Sequence, residues 1–179
     1  MSYLTGLRIV ALVGPDYEDL ELQYPKYRMR EAGAEVVVAG PEAGRVYTGK
    51  HGYPQRAEAA VNDLRADDFH GIIIPGGWAP DKLRRDEDVK EITRRMDAAG
   101  KLVAAICHGP WVTISAGVVD GVTCTSSPAI TDDLRNAGAR WVDQEVVTDG
   151  HHVTSRRPDD LPAFCRAMLE VLTAASVAR

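Results

Sequence analysis

The sequence predicts an α/β sandwich built on a mainly parallel sheet, and two observations predict it. Short runs of consecutive apolar residues recur along the chain, as expected of strands buried on both faces. Segments with apolar residues at helical spacing lie between them, and glycine or proline punctuates the joins. Leu7 to Val13 reads as the first buried strand, ended by Gly14-Pro15-Asp16. A helix follows from about Glu18 to Ala32, stopped by Gly33. Ala34 to Ala39 is a second strand, closed by Gly40-Pro41. Arg45 to Ala60 lacks a helical period and reads as a β-hairpin excursion. Gly71 to Ile74 is another buried strand, running into Pro75-Gly76-Gly77, and Asp86 to Ala99 is a helix closed by Gly100.

Lys101 to Ile106 supplies the next strand, and Trp111 to Ala116 a short helix. Val122 to Thr125 is β-like, Asp132 to Ala137 helical, and Trp141-Val142 extended. Glu145 to Thr148 and His152 to Ser155 read as a hairpin turning at Asp149-Gly150. A last helix opens at Pro158, with Leu161, Phe164, Cys165, Met168, Leu169 and Leu172 at core spacing.

The 179 residues fit one domain, 1–179, with 45% hydrophobic and 26% charged residues. A net charge of -5 argues against sequence-independent nucleic-acid binding, which needs a basic surface. No stretch reaches membrane-spanning length and no secretory signal is evident. Three cysteines far apart give neither a disulfide framework nor metal-ligand spacing, so a reducing cytoplasm is expected. Phosphate-loop patterns are absent. His151 and His152, placed on one strand, would point to opposite faces, so no metal centre and no cofactor are expected.

In open α/β sheets, ligands bind beyond the carboxyl ends of the strands. Three such ends carry reactive or permissive residues: Pro15-Asp16-Tyr17-Glu18, Pro75-Gly76-Gly77-Trp78 and Cys107-His108. Cys107 falls where a buried strand turns into a helix, with Ala105 two positions before it and Gly109 two after. That pattern is similar to a nucleophile elbow, and a helix N-terminus favours the thiolate. Cys124 and Cys165 lack a histidine neighbour and read as core. His108 reads either as the acid–base partner of Cys107 or as a turn histidine. The N–H groups of Gly77 and His108 are candidate oxyanion donors, and Gly76-Gly77 otherwise forms a plain turn. Glu18 either complements the helix dipole or sits by the sulfur as a protonated carboxyl. Asp19 and Glu21 read as solvated helix-face charges. Asp81 caps a turn or orients an imidazole, and Trp78 shapes a pocket rim or a subunit contact.

Five stretches carry a family resemblance: Tyr17-Glu18-Asp19-Leu20-Glu21-Leu22, Thr48 to Tyr53, Ile74 to Asp81, Ala105 to Pro110, and Ser155-Arg156. Together they resemble the PfpI-like intracellular protease/amidase family, in the superfamily of the Parkinson's-disease-associated deglycase and class I glutamine amidotransferase-like domains. The resemblance implies a flavodoxin-like sandwich. It implies Cys107 as nucleophile, His108 as its partner, Glu18 beside the sulfur, and Gly77 and His108 N–H groups as oxyanion donors. It also implies a homo-oligomer in which the third triad member comes from a neighbouring subunit, at the position of Asp81. The family usually has Glu there, Arg at Trp78 and Tyr at Ser127. The expected function is a stress-linked cysteine hydrolase of protease/amidase type acting on a peptide or small carbonyl substrate. The alternatives are a cofactor-independent glyoxalase or deglycase acting on methylglyoxal or its adducts, and a cysteine redox sensor.

Overall fold

A computed structural model describes residues 3–177. Its strands are β1 (Arg8–Leu12), β2 (Glu35–Gly40), β3 (Val46–Thr48), β4 (Pro54–Arg56), β5 (Ala59–Ala60), β6 (Gly71–Ile74), β7 (Leu102–Ile106), β8 (Thr123–Cys124), β9 (Arg140–Trp141), β10 (Val146–Asp149) and β11 (His152–Ser155). Its helices are α1 (Asp19–Glu31), α2 (Ala79–Leu83), α3 (Glu87–Ala98), α4 (Pro110–Ala116), α5 (Thr131–Asn136) and α6 (Leu161–Val177). Seven strands form the central sheet in the order β10-β11-β7-β6-β1-β2-β5. Every pairing in it is parallel except β10 with β11.

The centre of the sheet is apolar because helices cover both faces. Helices α1 and α6 pack together on one side, and α2, α3 and α4 on the other. Ile72, Ile73 and Ile74 of β6 are fully buried, each worth roughly 2 kcal/mol of transfer free energy. From β1 the chain winds outward through β2, whereas β6 and β7 build the other half. The order therefore reverses between β1 and β6, and a crevice opens at their carboxyl ends.

The hairpin excursion is present as β3 and β4, and its tail returns to the sheet as β5. The short stretch at Cys124 pairs in parallel with β9. The β10–β11 turn lies one residue later than the sequence reading placed it. Asp149 pairs with His152, leaving Gly150-His151 as the two-residue loop. His151 is therefore a turn residue, and strand alternation does not govern where it points. Among the described residues, no helix is long and apolar enough to cross a membrane.

Candidate active site

The site assembles at the carboxyl ends of β1, β6 and β7. Cys107 follows β7 directly, with φ at +62°, one of two non-glycine residues in the left-handed region among the described residues. Such backbone is costly for a residue with a Cβ and persists only where the surroundings hold it. They do so here: Cys107 N–H donates to Ser155 of β11 at 3.0 Å, and Ser127 N–H donates to the Cys107 carbonyl at 3.0 Å. The turn lifts the half-buried Cys107 side chain into the crevice.

The loop after β6 supplies the facing wall. Gly77 has φ at +76°, and a Cβ there would lie 2.4 Å from the Asp16 carbonyl. Only glycine lets this loop bridge to Tyr17 after β1. The N–H groups of Gly77 and His108 both interact with Cys107 and favour its thiolate. His108 Nδ1 lies 3.2 Å from Cys107 Sγ. Its ring stands between two indoles, 5.7 Å from Trp78 and 5.0 Å from Trp111. Burial, then the Lys50 charge, hold the imidazole below its usual pKa, so it is neutral at neutral pH.

The carboxyl beside the sulfur is Glu21, not Glu18. Glu18 is the N-cap of α1, accepting from Glu21 N–H at 2.8 Å, with its other oxygen 3.5 Å from His51 Nε2. Glu21 lies one turn further along the helix, fully buried, and accepts from Gly76 N–H at 2.8 Å. Its second oxygen has no conventional hydrogen-bond partner, and the carboxyl interacts with Cys107. Asp19, also read as a solvated charge, is buried and accepts from His51 N–H at 2.9 Å and Tyr53 N–H at 2.8 Å. It fastens the loop after β3 over the crevice. That loop brings Lys50 close enough to act electrostatically on Glu21 and His108.

Burial pushes the Cys107 thiol up to about 12, and a charge on Glu21 would push the same way. Burial likewise pushes the Glu21 carboxyl up to about 8, so at neutral pH it holds its proton. Between the two the thiol is the donor, an interaction that lowers the Glu21 carboxyl pKa and raises that of Cys107.

Asp81 sits in the first turn of α2 and pairs with Arg85. Among the described residues, no carboxylate hydrogen-bonds His108 within the chain. Trp78 caps the N-terminus of α2 and is 58% exposed beside the site. One excluded grouping does form elsewhere. His151 and His152 converge on Asp97, against the expectation of opposite faces, because His151 lies in the turn.

A cysteine in a left-handed strand-to-helix turn, two peptide N–H groups facing its sulfur and a buried carboxyl at the switch point of a flavodoxin-like sheet define a class of cysteine-centred α/β proteins. Residues 7–171 match the DJ-1/PfpI family, and the chain belongs to it. Two curated relatives are a deglycase of Pyrococcus abyssi, 46% identical over 93% of this chain and 99% of its own, and the deglycase PfpI of Pyrococcus furiosus, 45% identical with the same coverage. A solved structure from Anabaena variabilis, with DJ-1/ThiJ/PfpI-like and ferritin-like domains, is 38% identical with a TM-score of 0.91. It is matched over 93% of this chain and 48% of that one.

Proposed function

We propose that the chain is a cofactor-independent, cysteine-dependent glyoxalase or deglycase acting on methylglyoxal or its amine adducts, with Cys107 as nucleophile. The observation that carries this reading is the convergence on one sulfur of two peptide N–H groups, a neutral imidazole and a protonated carboxyl. The names of the two Pyrococcus relatives, both deglycases, favour deglycase chemistry over the peptide or amide hydrolysis expected from sequence.

His108 Nδ1, 3.2 Å from the sulfur, takes the Cys107 thiol proton as the sulfur adds to the aldehyde carbon and the carbonyl π electrons move to oxygen. Gly77 and His108 N–H groups stabilise that oxyanion, which then takes the proton from His108. In an amine adduct the sulfur replaces the amine on the same carbon: the carbon–nitrogen bond breaks and the amine leaves with the proton that His108 took from the thiol. His108, neutral and beside the sulfur, takes the proton from the former aldehyde carbon and returns one to the neighbouring carbon. The first carbon is thereby oxidised to a thioester and the second reduced to an alcohol, so no external oxidant enters. Water then cleaves the thioester, releasing a 2-hydroxy acid and the free thiol.

Asp81 serves as a positioning residue for the His108 of a second copy, because it lies beside exposed Trp78 and no carboxylate among the described residues of its own chain takes that role. Asp81→Ala is expected to lower kcat while leaving the Cys107 alkylation rate unchanged. Unaltered kcat would remove Asp81 from the site.

The deciding experiment follows methylglyoxal, a methylglyoxal–amine adduct and peptide amides in parallel with wild type and Cys107→Ser. Formation of 2-hydroxy acid is expected, with loss on the order of 10³-fold or more in the variant, as for other deleted nucleophiles. Retained turnover in Cys107→Ser overturns the proposal, as does turnover of peptide amides alone.

A further inference from the structure

Asp97, at the C-terminal end of α3, faces the β10–β11 turn. His151 Nε2 lies 2.8 Å from Asp97 Oδ1, and His152 Nε2 lies 2.7 Å from the same oxygen. The two imidazole rings sit 4.6 Å apart, tilted by 44°. His152 is only 6% exposed, whereas His151 and Asp97 are half-buried at the mouth of a surface cleft. Asp120, Arg140 and Asp149 are the other charged residues lining that cleft. Asp149 is committed to Thr123 N–H at 2.7 Å and to Arg140.

We propose that Asp97, His151 and His152 form a binding site for a divalent first-row transition-metal ion of the zinc type. Two imidazole nitrogens and one carboxylate oxygen make the mixed N/O donor set such ions prefer. The three donor atoms lie within 4.8 Å of one another. Around a tetrahedral ion with ligand bonds of about 2.0–2.1 Å, donors stand about 3.3 Å apart, so small side-chain adjustments complete the site. The fourth position opens into the cleft, where water completes it. Binding requires each imidazole to turn a free Nε2 lone pair to the ion, with its ring proton on Nδ1.

The ligands come from two elements joined only through tertiary structure. A bound ion would therefore tie α3 to the hairpin. Strand β11 begins at His152 and ends at Ser155, whose carbonyl accepts the Cys107 N–H. The metal would stiffen the strand that supports the elbow without touching the reacting sulfur. This assignment is independent of the proposed activity.

The test uses Zn2+ titration by calorimetry, with Co2+ as a spectroscopic substitute, in a Cys107→Ser background. That background removes the competing thiolate beside His108. One ion per chain is expected, with a Co2+ spectrum lacking a thiolate charge-transfer band and a higher Tm when Zn2+ is present. His151→Ala and Asp97→Asn, both at partly exposed positions, are each expected to weaken binding at least tenfold. Circular dichroism of each variant confirms its fold. No binding in Cys107→Ser overturns the site, as does affinity unchanged by His151→Ala. In either case the three side chains form a hydrogen-bonded cluster only.

Discussion

Glu21 offers its buried carboxyl to two partners: the Gly76 N–H on one oxygen and the Cys107 side chain beyond. Glu21, at about 8, ionises before the thiol at about 12, and both its charge and its hydrogen bond with the thiol hold the Cys107 pKa up. Glu21→Leu removes both and is therefore expected to lower the midpoint of the pH profile for Cys107 alkylation by about a unit or more. Glu21→Gln, which cannot ionise, should lower it in the same direction. A profile unchanged by Glu21→Leu would separate the carboxyl from the thiol. Sequence placed the carboxylate of this site at Glu18 for a physical reason. A charged residue in an exposed-looking helical turn is normally solvated, and nothing local marks Glu21 as the one facing a second strand end. The sulfur itself was legible, because an apolar strand broken by Cys-His-Gly-Pro admits few other geometries.

At the scale of elements, the site depends on how closely α1 and the loop after β6 approach the Cys107 elbow. A Cβ at position 76 would lie 2.5 Å from Glu21 Oε2 and 2.6 Å from Cys107 Cβ. Gly76→Ala must therefore push the helix or the elbow away. A loss of about 1–3 kcal/mol in stability is expected from overpacking, measured by chemical denaturation. Turnover should fall further than stability does, since the displaced atoms are the site. Wild-type kcat with lowered stability would mean that the contact is only structural. The central strands were readable because burial on both faces removes alternation and leaves runs such as Gly71 to Ile74. The hairpin turn was misplaced by one residue because Asp149-Gly150 satisfies the same local preference as the Gly150-His151 loop, and pairing across the strands decides between them. Helix α2 escaped notice because five residues with a proline in second place carry too little period to register.

For the whole molecule, the buried acids set how stability responds to pH. Glu21 is raised from 4.5 to about 8 by burial and then by Glu18. Its folded-state pKa lies above its unfolded one, so its contribution is full below about pH 4.5. That contribution is lost as pH rises through about 8, because the unfolded chain releases the proton first. Burial also raises the thiols of Cys107 and Cys165 to about 12 and of Cys124 to about 11, extending the loss above pH 9. His152 works from the other side. Its pKa is lowered, chiefly by burial, so the unfolded chain takes up a proton as pH falls through the ordinary histidine range and stability drops there. Thermal denaturation of wild type should therefore show Tm falling between pH 7 and pH 9. Glu21→Gln, which cannot ionise, should flatten that fall while leaving the decline above pH 9 that the thiols cause. If Glu21→Gln and wild type keep parallel Tm curves from pH 5 to pH 9, Glu21 is ionised in the folded protein throughout, and the protonated carboxyl is lost to the site as well as to the stability argument.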